Sequence, residues 1–164
     1  MKQKITPCLW FDTEAEPAAE FYCSVFPSSK ILSVSRYGEG GPREAGLALT
    51  VEFELDGVRF TALNGGPQYK FTEAISLQVN AVDQGEVDRY TELLTADGGE
   101  VGPCGWVKDR FGLSWQVIPD VLPELLSDPD PVRANAAMQA MLGMMKIDIR
   151  AVRDAADAAH APSA

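Results

Sequence analysis

Residues 105–118, Gly-Trp-Val-Lys-Asp-Arg-Phe-Gly-Leu-Ser-Trp-Gln-Val-Ile, restrict the fold more than any other stretch of the chain. Two runs rich in aromatic and β-branched residues flank an Asp109-Arg110-Phe111-Gly112 turn. Gly112 can take the positive φ that other residues resist, so the segment reads as a β-hairpin. Period-two alternation then sets Ser114, Gln116 and Ile118 on one face of the second strand, with Trp115 and Val117 on the other.

The rest of the chain supplies partners for this hairpin twice over. Residues 4–11 alternate as a strand, and Pro7, which cannot donate to a ladder, puts that strand at an edge or beside a bulge. Residues 13–26 carry apolar positions at helical spacing; Thr13 and Glu16 offer a capping box, or Pro17 the first turn with a cap nearer Glu16, and Pro27 is the stop. Residues 30–37 read as a strand, 38–42 as a Gly-rich loop, and 47–55 with 58–64 as a hairpin turning at Asp56-Gly57. After the break at Asn64-Gly65-Gly66-Pro67 the order repeats. A strand at 74–82 leads to a helix at 86–96, capped by Asp83 with Glu86 and ended by Gly98-Gly99, then to strands near 100–102, 105–108 and 113–118. Beyond Pro119 the pattern turns helical over 121–126, 133–145 and 147–159. The stripe Ala137, Met138, Met141, Leu142, Met145 reads as packing surface, against this chain's own sheet or a second copy's.

The order predicts an α+β fold: one domain over 1–164, with two β-α-β-β-β modules at 4–66 and 72–119 and a C-terminal helical extension over 120–160. At 164 residues, 46% of them hydrophobic, the chain is long enough for one sizeable core and too short for two ordinary domains. Its 24 acidic residues against 14 basic leave a formal charge of −10, which repels phosphate backbones, so no nucleic acid partner is expected. No run nears the roughly 20 apolar residues of a membrane span, and Met1-Lys2-Gln3-Lys4 leads into a strand; no membrane contact and a cytoplasmic location are expected. Cys8, Cys23 and Cys104 are odd in number and widely spaced, implying neither a disulfide framework nor a zinc knuckle. The single histidine, His160, falls in an Ala-rich ending expected to fray. The body of the chain therefore lacks an imidazole for nucleophile activation or metal binding.

Several short motifs carry a resemblance. In the first module they are Leu9-Trp10-Phe11-Asp12, Phe21-Tyr22, Val25-Phe26-Pro27 and Ala62-Leu63-Asn64-Gly65-Gly66. In the second they are Phe71-Thr72-Glu73-Ala74-Ile75-Ser76, Cys104-Gly105-Trp106 and Trp115-Gln116-Val117-Ile118-Pro119, followed by Leu122-Pro123-Glu124-Leu125-Leu126. In these the chain resembles the PhnB-like branch of the vicinal oxygen chelate superfamily (glyoxalase, bleomycin resistance and dioxygenase relatives), often labelled demethylubiquinone methyltransferase-like. The resemblance implies curled mixed sheets that each form half of a cup, a small-molecule ligand, and a homodimer whose cup is shared or exchanged between chains. In metal-dependent members four inward ligands chelate a divalent ion. Carried over, those places fall at Thr6 or Pro7, Ala62 or Asn64, Ala74, and Gln116, a set without anionic oxygen or imidazole, so no metal is expected. The alternative is a shifted register in which Glu73, Glu52 or Asp109 supplies a carboxylate. The methyltransferase label implies a nucleotide-like cofactor on a Gly-rich strand-to-helix turn; that turn is Asp12-Thr13-Glu14-Ala15-Glu16 here, and no cofactor is expected.

The candidate ligand pocket is therefore Trp10, Asn64, Trp106 and Gln116. Gln116 either contacts a ligand or is a buried amide satisfied internally. Asn64 either does the same or serves turn chemistry before Gly65-Gly66. Trp10 and Trp106 either wall an apolar pocket or pack in the core. Lys108-Asp109-Arg110 either orients an anionic substrate or, as a charged run beside a turn, is a solvated surface, the commoner case. The expected function is small-molecule binding or metal-independent catalysis. A metal-dependent lyase, isomerase or dioxygenase with a shifted site, and a methyltransferase, are the alternatives.

Overall fold

The computed structural model describes residues 3–159, as two compact units that divide between Phe71 and Thr72. His160 and the 161–164 ending lie outside the described residues.

The first unit is an open four-stranded mixed sheet in the order β1-β4-β3-β2 with one helix, from β1 (Cys8–Phe11), α1 (Ala15–Val25), β2 (Lys30–Arg36), β3 (Ala48–Leu55) and β4 (Val58–Asn64). β1 runs parallel to β4 and lies at the edge, where the missing N–H of Pro7 costs nothing; the Pro7 carbonyl still accepts from the Thr61 amide at 2.9 Å. Asp56 and Gly57, at φ of 44° and 81°, make the two-residue turn of the β3–β4 hairpin. Alternation buries Leu9, Phe11, Val51, Phe53, Phe60 and Ala62 with Tyr22 of α1, each large side chain worth about 1.5–3 kcal/mol. The opposite face carries Trp10, Thr50, Glu52, Thr61 and Leu63.

One expectation about α1 fails. Thr13 and Glu16 form no capping box: Glu16 instead holds Arg36 through two bonds of 2.8 and 2.7 Å. The helix's first amide, on Ala15, donates to Oδ1 of Asn64 at 2.8 Å. The cap thus comes from the end of β4, 49 residues along the chain, where spacing within the helix cannot reveal it.

The second unit repeats the plan with β5 (Ser76–Ala81), α2 (Gln84–Thr95), β6 (Glu100–Val101), β7 (Trp106–Lys108) and β8 (Ser114–Pro119), in the order β5-β8-β7-β6. Asp83 caps α2 as expected, Oδ1 accepting from the Glu86 amide at 2.9 Å, while Glu86 accepts from the Val82 amide. Val79, Val107, Trp115 and Val117 are buried, as are Val87 and Leu94 of α2, the helix that packs on these strands. The other face presents Ser76, Gln78, Trp106, Lys108, Ser114 and Gln116. Gly112 has φ 87° at the β7–β8 turn, and its amide closes on the Asp109 carbonyl at 2.9 Å.

The extension follows as α3 (Leu122–Leu126), α4 (Pro131–Leu142) and α5 (Ile149–Ala158). Leu122, Ala137, Ile147, Val152 and Ala156 form its core, with Met141 and Met144 packed alongside. Of the stripe, Ala137 and Met141 pack within the extension itself, while Leu142 and Met145 stay about half exposed. The segment after α4 is stapled to the turn before β7: the amides of Cys104 and Gly105 donate to the Met144 and Met145 carbonyls at 2.8 and 2.7 Å.

Candidate functional site

A cavity of about 320 Å³ opens on the helix-free face of the second sheet. Its apolar walls come from Val101, Pro103 and Trp106, and its polar ones from Glu73, Glu100, Lys108 and Ser114. Strand register explains the assembly. Lys108 stands opposite Ser114 across β7–β8 and opposite Glu100 across β6–β7, and Trp106 stands two residues along from Lys108, hence on the same face. The backbone at Gly102 and Pro103 closes one side, and that turn is the one held by the extension's carbonyls.

Ser114 is the decisive residue. It is only 1% exposed, and its Oγ has no hydrogen-bond partner among the described residues. A buried hydroxyl without a partner costs about 1–3 kcal/mol, and this one belongs to a residue that lines a cavity, from which a bound group could answer it.

Lys108 is bonded to the Glu73 carboxylate. The hydrogen bond to Lys108 holds the Glu73 carboxyl below the usual carboxylate range; its partner, with a smaller contribution from Glu100, holds the Lys108 ammonium above its usual value. The Glu73 side of the pair is therefore fully formed above the ordinary carboxylate pKa of about 4.3 and lost as pH falls through the lowered value; the Lys108 side is formed below about 10.4 and lost as pH rises through the raised one. Binding in this cavity should accordingly show no inflection from this pair between about pH 5 and 10, which a titration of ligand affinity against pH checks.

The four residues singled out by sequence fall in two places. Trp106 and Gln116 face one another across β7–β8, but only Trp106 lines the cavity; the Gln116 amide donates to Ser76 Oγ at 2.9 Å. Trp10 and Asn64 belong to the first unit and point to opposite faces of its sheet. Trp10 lies against Gly65, where an added Cβ would meet its ring at 2.3 Å, and donates to the Gly66 carbonyl at 2.8 Å. Asn64 is wholly buried, with its oxygen on the α1 amide and its nitrogen on the Ala48 carbonyl at 2.9 Å. Asn64→Ala should therefore cost about 2–3 kcal/mol in denaturant unfolding, two buried partners being left unpaired, with ligand affinity unchanged.

The run Lys108-Asp109-Arg110 is solvated only in part: Arg110 is exposed and Lys108 half-buried, but Asp109 turns inward. Asp109 is 3% exposed and accepts from the amides of Phe111 and Leu113 and from Trp115 Nε1, at 2.8, 3.1 and 2.8 Å. Lys108 lines the cavity, and Arg110 pairs with Asp97 at 2.6 Å. Sequence reasoning named Glu73 only as a carboxylate from a shifted register and Lys108 only within a charged run beside a turn, and set neither in the pocket that both line. The period-two spacing of Trp106 with Lys108, opposite Ser114 with Gln116, was the signal that could have found Lys108.

A second hollow, of about 720 Å³, lies in the first unit beside Tyr37, Arg43 and Gly66. Its main polar groups are already engaged, Arg43 with Asp12 and the Tyr37 hydroxyl with the Asn64 carbonyl, both at 2.8 Å.

A family model described as 3-demethylubiquinone-9 3-methyltransferase matches residues 3–118. The chain belongs to that family. The match ends within β8, so the helical extension lies outside it. Among solved structures, the PhnB protein from Bacillus cereus is 36% identical, covering 71% of this chain and 99% of its own, with a TM-score of 0.64. Protein PA1353 from Pseudomonas aeruginosa is 20% identical over 72% of this chain and 98% of its own, with a TM-score of 0.58. The fosfomycin resistance protein FosX from Listeria monocytogenes is 16% identical over 76% and 98%, with a TM-score of 0.52. The fold is therefore that of the vicinal oxygen chelate superfamily, as the sequence motifs implied. No curated protein matches the chain.

The groups that this kinship implies can be tested against the residues present. One FosX variant has been solved with Mn(II) and a dihydroxypropylphosphonic acid. Here no three His, Cys, Asp or Glu side chains converge among the described residues. Ala62 and Asn64 turn toward α1; Glu52 stands on the first helix-free face and Glu73 and Glu100 line the cavity on the second, but Glu73 is tied to Lys108, and these scattered carboxylates make a donor set that fits a divalent ion poorly. A nucleotide-like cofactor fits no better at the β1–α1 turn: the turn is acidic, and the first helical amide is already spent on Asn64. Desolvation pushes the Cys8 and Cys23 thiols up, away from a reactive thiolate.

Proposed function

We propose that the protein binds a small organic molecule in the cavity of its second unit, without a metal ion. The observation that carries this reading is the buried, unpartnered Ser114 Oγ in a cavity whose other walls are largely apolar. A ligand there would stack an apolar body against Trp106, whose ring offers a large contact area, and direct one polar atom at Ser114. Gln116, two residues along the same face, completes the polar row by way of Ser76.

Native mass spectrometry tests the reading. Protein recovered under non-denaturing conditions should carry a small-molecule adduct that the Trp106→Ala variant, folded and of similar melting temperature, lacks. Identical adduct patterns in the two would count against it.

The reading includes a cytoplasmic location and association of two copies. Half-exposed Leu142 and Met145 give some support to pairing, and among the described residues no helix is long and apolar enough to cross a membrane. Sedimentation at micromolar concentration should give about twice the chain mass of 17.8 kDa; a single species at the chain mass would exclude the dimer.

A further inference from the structure

The charge around the cavity narrows the class of molecule, an inference that rests on the binding reading above. Three ionisable side chains line it: two carboxylates, Glu73 and Glu100, against one ammonium, Lys108. Lys108 sits between them, bonded to Glu73 and opposite Glu100 in the β6–β7 register. Its charge is thus already answered, and the cavity keeps one negative charge in excess. A ligand anion would have to break the Lys108–Glu73 bond and then sit beside two carboxylates. A neutral ligand leaves the excess unanswered. An organic cation answers it, and the Trp106 ring on the same face gives the body of an aromatic ligand a surface to stack on. The net charge of −10 on the chain acts in the same direction at longer range. The acidic pair alone would be an ordinary solvated surface. The unpartnered Ser114 hydroxyl, 1% exposed and lining the same cavity, marks the place as built to take a ligand.

We infer that the cavity of the second unit selects a small aromatic amine in its protonated form, with the ring against Trp106, the ammonium toward Glu73 and Glu100, and Ser114 contributing one hydrogen bond.

Three probes with the same ring and side-chain length separate charge from shape: tryptamine (cation), tryptophol (neutral) and indole-3-acetate (anion), at pH 7. Affinities are read from the Trp106 Nε1–H resonance of ¹⁵N-labelled protein, assigned with Trp106→Phe. Tryptamine should bind about fivefold more tightly than tryptophol, the size of one unit charge near 4 Å in water, and indole-3-acetate most weakly. Glu100→Gln, which cancels the excess charge, should bring the tryptamine-to-tryptophol ratio close to one while tryptophol affinity holds. Equal affinities for the three probes, tighter binding of the anion, or a ratio untouched by Glu100→Gln would overturn the charge inference and leave the cavity as a binding site. Failure of all three to shift the Trp106 resonance would remove the site reading, and this inference with it.

Discussion

Asp109→Ala is expected to lower the unfolding free energy by about 3–5 kcal/mol, among the largest effects any single substitution should have. The carboxylate is nearly wholly buried, and its two oxygens serve three donors: Oδ1 takes the Phe111 and Leu113 amides, Oδ2 the Trp115 indole. Removing them strands the part-buried Phe111 amide at the β7–β8 turn, and the buried Leu113 amide and Trp115 indole N–H, two donors that water cannot reach. The turn also fixes the register that sets Lys108 opposite Ser114, so the cavity should be lost along with the stability. Asp109→Asn tests this account more finely. Its amide oxygen can still serve the two backbone donors, but its NH₂ would face the Trp115 N–H, so the loss should be about 1–3 kcal/mol. Denaturant titrations of both variants check the order; equal, small losses would mean that the carboxylate is solvated after all.

Gly105→Ala should cost about 2–4 kcal/mol, for two separable reasons. The residue has φ 81°, where an L side chain is strained, and an added Cβ would lie 2.8 Å from the Val117 carbonyl and 3.2 Å from Cγ1 of Ile147. Both neighbours are held: Val117 is in the sheet, and Ile147 is in the core of the helical extension. The methyl group must therefore push the extension away from the turn that walls the cavity, breaking the bonds from Cys104 and Gly105 to Met144 and Met145. Thermal unfolding should show the loss, and amide hydrogen exchange should show Cys104 and Gly105 unprotected. Full protection at both amides would contradict the coupling of extension and cavity wall.

The parts of this structure that were legible in the sequence are those set by short-range chemistry. Period-two and helical spacings, the Asp56-Gly57 and Asp109–Gly112 turns and the Asp83 cap are local patterns, and each forms as its residues dictate. The places where the reading went astray are side-chain contacts that spacing within a single element does not reveal. Asn64 caps a helix 49 residues away, which displaces the capping box expected from Thr13 and Glu16. The charges of residues 108–110 gave no sign that the middle one turns inward, because its acceptors are filled partly by an indole on the next strand. The cavity was half visible: alternation put Ser114 and Gln116 on one face, but its carboxylates come from Glu73, before the sheet begins, and from Glu100, on a strand only two residues long. Nothing in the sequence says that the Ser114 hydroxyl would be left without a partner, since that depends on every neighbour at once.

The central claim, that this cavity exists to take a ligand, is tested most directly by Ser114→Ala, with melting temperature and tryptamine affinity measured on the same preparation. Removing a buried hydroxyl that the fold leaves unpaired should leave the melting temperature unchanged or raise it. Affinity should fall by about two- to twelvefold, the worth of one hydrogen bond of about 0.5–1.5 kcal/mol. A variant that melts lower and binds tryptamine as tightly as the parent would show that Ser114 serves the fold alone, and would contradict the account.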